Sequence, residues 1–231
     1  MDVRRRFLGD EPDNTVRSNY DVIIFDLDGT LIDSRLDLAN SVNFIRAQLG
    51  LEALDHHVIF SYIGDGAAKL IQRAVGKAFS YESVQQDVEA FLRHYHDHLL
   101  DNTVLYPGVL EVLADLRHQV LTVLTNKPLE STLAILQGLK IQDRFLFVYG
   151  GNSFEQRKPH PSGIIKILKD TRTPKNRALI VGDSRIDIET GQNAQIATCG
   201  VTYGLASNSL SKCSPQFLIG DLRELPPIVL A

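Results

Sequence analysis

VIIFDLDGTLIDS, residues Val22–Ser34, sets four consecutive apolar side chains directly before Asp26, Leu27 and Asp28. A short unbroken apolar run suits a strand covered on both faces, as in parallel sheets. Two carboxylates at its exit need compensation from elsewhere, because crowded acids cannot all stay ionised unaided. Gly29 lets the chain turn away there and expose N–H groups.

Beyond LYPG (Leu105–Gly108) apolar runs and helical patterns alternate. VLEVLADLRHQ reads as helix before strand-like VLTVLTN. PLESTLAILQGL precedes FLFVYGG, PSGIIKILKD precedes ALIVGD, and RIDIETGQNAQI precedes ATCGVTYG. A last short strand is expected at FLIGD. This alternation predicts an α/β, Rossmann-like parallel sheet with helices on both faces, joined by the Val22–Phe25 strand. From Arg35 to about Thr103 the texture is helical only. RLDLANSVNFIRAQLG places Leu36, Ala39, Val42, Phe44, Ile45 and Leu49 near a helical repeat that Gly50 stops, and two further helical patterns follow. The expected organisation is a leader over residues 1–19, a core from 20–34 and 105–231, and a small helical cap over 35–104.

Composition narrows the function. The chain has 231 residues, 44% hydrophobic and 23% charged, as expected of a soluble protein with one large or two modest domains. A formal net charge of −4 argues against nucleic-acid binding, and Arg4-Arg5-Arg6 reads as part of a solvated tail. Two cysteines, Cys199 and Cys213, suit a reducing compartment, with Cys199 in an apolar stretch that reads as core. No window approaches the roughly 20 apolar residues that cross a bilayer. The expectation is a cytoplasmic protein with neither a nucleic-acid nor a membrane partner.

In open parallel sheets ligands bind beyond the carboxyl ends of the strands. Those ends here carry Asp26, Asp28, Gly29 and Thr30; then Thr125, Asn126 and Lys127; then a loop with Arg157 and Lys158; then Asp183, Ser184 and Asp187. A divalent cation relieves such crowding. All-oxygen ligands suit Mg²⁺ better than Zn²⁺, for which no cysteine or histidine set is visible. His94, His96 and His98 do not supply one: on a helix only His94 and His98 share a face, and they read as a solvated side. Metal, lysine, hydroxyl and backbone N–H donors together make a receptor for phosphate, and a remaining aspartate can act as nucleophile toward phosphorus.

DLDGT, the TN after a strand, RKPHP and GDSRID occur in this order and together resemble the four motifs of the haloacid dehalogenase superfamily. The resemblance covers the chain from about Tyr20 onward, and the helical insertion resembles that superfamily's cap. Within it, DGTLIDS, YIGDGAAKLI, LYPGV and GVTYG look most like the phosphoglycolate phosphatases and their near relatives. The resemblance implies Asp26 as nucleophile and Asp28 as acid/base, a role that desolvation under a closed cap would favour. It implies Mg²⁺ held by Asp26, the backbone carbonyl of Asp28 and Asp183, and phosphate bound by Thr125, Asn126, Lys158 and the Gly29 turn. Asp187 is expected to support the metal or Lys158 from behind; the plainer reading is a helix N-terminal acid. Gly64, Asp65 and Gly66 form a candidate substrate loop at a helix start, suited to an anion. The implied substrate is a small phosphorylated metabolite, 2-phosphoglycolate first. Families that cut carbon–halogen or carbon–phosphorus bonds lack the Asp28 acid, so its presence favours an ester. A sugar phosphomutase on the same core is the alternative. A phosphorylatable receiver domain is a different class, but such domains are shorter and lack the insertion. Two departures stand out: Asn152, where relatives often carry an acid, and Gly191, where they usually have alanine.

Overall fold

The computed structural model describes residues 18–64, 66–76 and 81–230. Residues 1–17 of the expected leader therefore lie outside the described residues. Ser18 and Asn19 are already tied to the core: both donate to the Val229 carbonyl, at 3.1 and 2.7 Å.

Six strands form one parallel sheet in the order β5-β4-β1-β6-β7-β8. They are β1 (Val22–Phe25), β4 (Val120–Leu124), β5 (Phe147–Tyr149), β6 (Ala178–Gly182), β7 (Ala197–Val201) and β8 (Phe217–Ile219). Each lies within a run that the sequence marks as strand-like. The reason shows in β1, where every side chain is fully buried. Ile23 and Phe25 enter one apolar cluster and Val22 and Ile24 the other, as the two-residue period of a strand dictates. Each such burial contributes about 1.5–3 kcal/mol. The first cluster joins this face to α5 (Val109–Asp115), α6 (Leu129–Gly138) and α9 (Leu225–Leu230). The second joins the opposite face to α7 (Ser162–Thr171) and α8 (Arg185–Ala194).

Gly191 now has a reason. A Cβ there would lie 2.4 Å from Thr198 Cγ2 and 2.6 Å from Ile180 Cγ2. Two β-branched side chains of the sheet press on α8, and only glycine lets the helix sit so close. Asn152 caps α6, accepting from Leu129 N–H at 2.9 Å.

Residues 35–103 contain α1 (Arg35–Gln48), α2 (His56–Phe60), α3 (Ala67–Val75) and α4 (Tyr81–Asp97), and no strand among the described residues; the expected boundary at 104 falls inside a short strand. The inward face of α1 keeps Ala39, Val42 and Ile45 of the expected set and adds Leu38, while Leu36 and Phe44 are exposed. Phe44 instead stacks on His94, 3.8 Å between ring centres, and His94 Nδ1 lies 3.0 Å from Ser41 Oγ. His94 is thus half-buried against α1 rather than solvated.

Two short strands absent from the sequence reading fix the crossings. β2 (Ile32–Asp33) and β3 (Val104–Leu105) pair antiparallel, Ile32 opposite Leu105. Beside them the buried Asp37 carboxylate accepts four hydrogen bonds from the return segment. Asn102 N and Nδ2 donate at 3.0 and 2.7 Å, and Thr103 N and Oγ1 at 2.8 and 2.7 Å.

Candidate active site

Sheet order fixes the place of the site. From β1 the chain moves through β4 to β5 on one side, then crosses to β6 and on to β8 on the other. The reversal opens a crevice at the carboxyl ends of the central strands, where ligands bind in open α/β sheets. Phe25 pairs with Val123 and with Val181, so Asp26, Thr125 and Asp183 leave their strands within one residue step of one another.

β1 stops at Phe25, so Asp26 and Asp28 do not share a strand face. The Asp26 N–H continues the ladder to the Val181 carbonyl at 2.9 Å, after which the chain turns sharply. Gly29 adopts φ +86°, and a Cβ there would lie 2.1 Å from Asp183 Oδ2. Glycine is needed twice over: for the left-handed backbone, and for the approach of a carboxylate. Asp183 Oδ2 also accepts from Ala206 N–H at 2.8 Å.

Lys158 reaches this pocket from the loop before α7. Asn126 clasps its backbone: Nδ2 donates to the Lys158 carbonyl at 3.1 Å, and Oδ1 accepts from the Lys158 N–H at 3.0 Å. The ammonium then donates to Asp26 Oδ1 at 2.6 Å and Asp187 Oδ1 at 2.5 Å. The other Asp187 oxygen accepts from Ser184 N and Oγ, closing a capping box at the start of α8. Asp187 therefore does both things its sequence position allows: it caps a helix and holds Lys158.

Carboxylate oxygens of Asp26, Asp183 and Asp187 lie within 4.8 Å of one another, all buried. Three acids face one ammonium, and the electrostatics record the strain. The Asp26 carboxyl is raised to about 7 in all: burial raises it most, Lys158 opposes the rise, and Asp187 and Asp28 add to it. Asp183 is raised well above the usual carboxylate range, by burial first and then by Asp187 and Asp26. Burial also disfavours the Lys158 ammonium, but the two carboxylates outweigh it and leave its pKa raised. An excess of buried negative charge on hard oxygen donors, with Gly29 leaving room beside Asp183, fits a divalent cation such as Mg²⁺. With both its oxygens already engaged, Asp187 suits it less than Asp26 and Asp183 do. The Asp28 side chain stands apart from this group.

Asp28 belongs to a second cluster. Its Oδ1 accepts from Ser34 Oγ at 2.5 Å and from Lys127 Nζ at 2.7 Å. Lys127 Nζ also donates to the Tyr95 hydroxyl on α4 at 2.7 Å. Both clusters open into one cavity of about 250 Å³ between sheet and insertion. Its floor includes Asp26, Asp28, Thr125, Asn126, Lys158 and Asp183, and its roof includes Leu38, Ile63, Leu70, Phe91, Leu92 and Tyr95. Gly64 and Gly66 border it, at φ +122° and +89°. Asp65 lies outside the described residues. The sequence reading places Lys127 at a strand exit beside Thr125 and Asn126 but gives it no role, and Ser34 and Tyr95 receive none either.

This doubly wound sheet, with an acid-lined crevice roofed by an inserted helical unit, defines the class as an α/β enzyme that handles an anionic group. Comparison with known proteins carries this further. Residues 23–201 match the model of the haloacid dehalogenase-like hydrolases, and the chain belongs to that family. It is 33% identical over 214 residues to a phosphoglycolate phosphatase of Pseudomonas savastanoi pv. phaseolicola, covering 89% of this chain and 78% of that one. It is 34% identical over 224 residues to a phosphoglycolate phosphatase of Haemophilus influenzae, covering 93% and 100%. Among solved structures, a "predicted phosphoglycolate phosphatase" from Haemophilus somnus 129PT superposes with a TM-score of 0.85 at 31% identity, over 91% of this chain and 98% of the other. Among the described residues no helix is long and apolar enough to cross a membrane.

Proposed function

We propose that this hydrolase is a Mg²⁺-dependent phosphomonoesterase that works through an aspartyl phosphate on Asp26, with 2-phosphoglycolate as its substrate. The observation that carries the reading is the buried juxtaposition of Asp26, Asp183 and Lys158 at the floor of a roofed cavity. The names of the relatives supply the substrate.

Asp26 and Asp183 side chains, with the Asp28 carbonyl, would hold Mg²⁺. When bound, Mg²⁺ supplies positive charge that lets an anionic nucleophile approach an anionic ester. Lys158 adds a second positive charge and holds the Asp26 carboxylate in place. Thr125 and the backbone N–H groups of Asp28 and Asn126 receive the phosphoryl oxygens; the Gly29 N–H, expected to do so, is already given to the Ile32 carbonyl at 2.9 Å. An Asp26 oxygen bonds to phosphorus as the phosphorus–ester oxygen bond breaks, and protonated Asp28 gives its proton to the departing oxygen. Water then attacks phosphorus, the bond to Asp26 breaks, and Asp28 takes the water proton. The apolar roof keeps bulk water out of the site. At its edge, the first N–H groups of α3 favour the glycolate carboxylate.

A panel of phosphate esters assayed with and without Mg²⁺ tests this reading. Hydrolysis of 2-phosphoglycolate is expected to be fastest and to need the metal. Asp26→Asn is expected to fold, bind Mg²⁺ more weakly and lose turnover. Substantial Mg²⁺-dependent hydrolysis by that variant would remove Asp26 as the nucleophile.

A further inference from the structure

We propose that Lys127 and Tyr95 form a tether through which the seating of the helical insertion sets the orientation of the Asp28 carboxylate. Lys127 is a positioning residue, and Tyr95 is its contact on the insertion. The inference rests on the acid/base role given to Asp28 above.

Lys127 leaves β4 two residues beyond Thr125, yet its ammonium does not turn to solvent. Its side chain is 5% exposed, and Nζ lies 2.7 Å from both Asp28 Oδ1 and the Tyr95 hydroxyl. The nitrogen also sits 4.6 Å from the centre of the Tyr95 ring. Tyr95 is buried and stacks on Phe91 of the cavity roof, 5.7 Å between ring centres, so it moves with the roof. One ammonium thus joins the sheet, the acid and the insertion.

This geometry has a chemical consequence. Both donors to Asp28, Lys127 Nζ and Ser34 Oγ, fall on Oδ1. Among the described residues no hydrogen bond reaches Oδ2. Oδ2 is therefore the oxygen left to exchange a proton: it gives one to the ester oxygen as the phosphorus–oxygen bond breaks, and takes one from water in the second step. Oδ2 faces the reacting group only while Oδ1 is held. A Lys–Asp contact is strong when Tyr95 keeps water away and weak when water replaces it. Lifting the insertion loosens Asp28, and seating it restores the aim, so the acid is poised only in a closed site.

Lys127→Met and Tyr95→Phe test the tether: the first removes both hydrogen bonds of the ammonium and the second only the one to the hydroxyl, each keeping side-chain bulk. kcat/KM reports the first transfer to Asp26, which needs an acid only when the leaving group is poor. Lys127→Met is expected to lower kcat/KM for ethyl phosphate by about 10²-fold, the usual worth of a placed general acid. With p-nitrophenyl phosphate, whose phenolate departs unaided, it should change little. Tyr95→Phe is expected to act in the same direction and to speed amide hydrogen exchange in α4. Equal losses on both esters would reduce Lys127 to a structural role and overturn the proposal, as would unchanged exchange in Tyr95→Phe. A wild type that hydrolyses neither ester would count against the proposed function; the exchange measurement would still decide the tether.

Discussion

Asn126 forms two hydrogen bonds with a single residue, one each way with the backbone of Lys158. They span 32 residues of sequence and hold the loop from which the ammonium reaches Asp26. Asn126→Ala is expected to cost about 1–3 kcal/mol of stability, since two buried backbone groups lose partners. It should also lower kcat by roughly tenfold or more through misplacement of Lys158. Denaturant unfolding and steady-state kinetics check the two effects, and a variant with wild-type kcat would deny the clasp a positioning role. The sequence singled out Asn126 for its backbone and was silent on its side chain. Lys127 was harder still. A lysine after a strand is ordinarily solvated, and here its burial depends on Tyr95, which sits 32 residues earlier on a helix of the insertion. No local pattern encodes that meeting.

At the scale of elements, the buried Asp37 ties the first helix of the insertion to the segment that returns from it, through four hydrogen bonds. Asp37→Ala leaves Asn102 and Thr103 donors without partners and is expected to destabilise the protein by about 2–4 kcal/mol. Urea unfolding measures it, and a loss under about 0.5 kcal/mol, ordinary for a surface site, would contradict the assignment. The six sheet strands were legible because each is an apolar run closed by polar or glycine residues. β2 and β3 were not, because two residues carry no period and their pairing joins positions about seventy residues apart. The α9 segment LPPIVL has no counterpart in the sequence reading; its two prolines, Pro226 and Pro227, fall in the first helical turn, where proline is tolerated.

For the molecule as a whole, the buried acids tie folding to pH and to metal. The folded values of Asp26, near 7, and of Asp183 lie above the roughly 3.9 of an unfolded aspartate. Between about pH 4 and 7 the native state therefore binds more protons than the unfolded one, and metal-free stability falls as pH rises through that window. Mg²⁺ competes with those protons, so the rise in Tm it produces should grow over the same window. Thermal unfolding with and without excess Mg²⁺ from pH 5 to 8 checks this; a constant or shrinking increment would remove Asp26 and Asp183 as the metal's ligands. The floor of the site was readable because its residues sit at strand ends that sheet order must gather. The roof was not, since leucine and phenylalanine read alike whether they fill a core or face a ligand. The β2–β3 ribbon carries a last consequence. Because the chain departs and comes back along adjacent, paired backbones, whatever lies between them is attached through a single narrow neck. Evolution, or a protein engineer, can exchange that whole segment for another and alter substrate choice, provided the replacement again meets Lys127 as Tyr95 does.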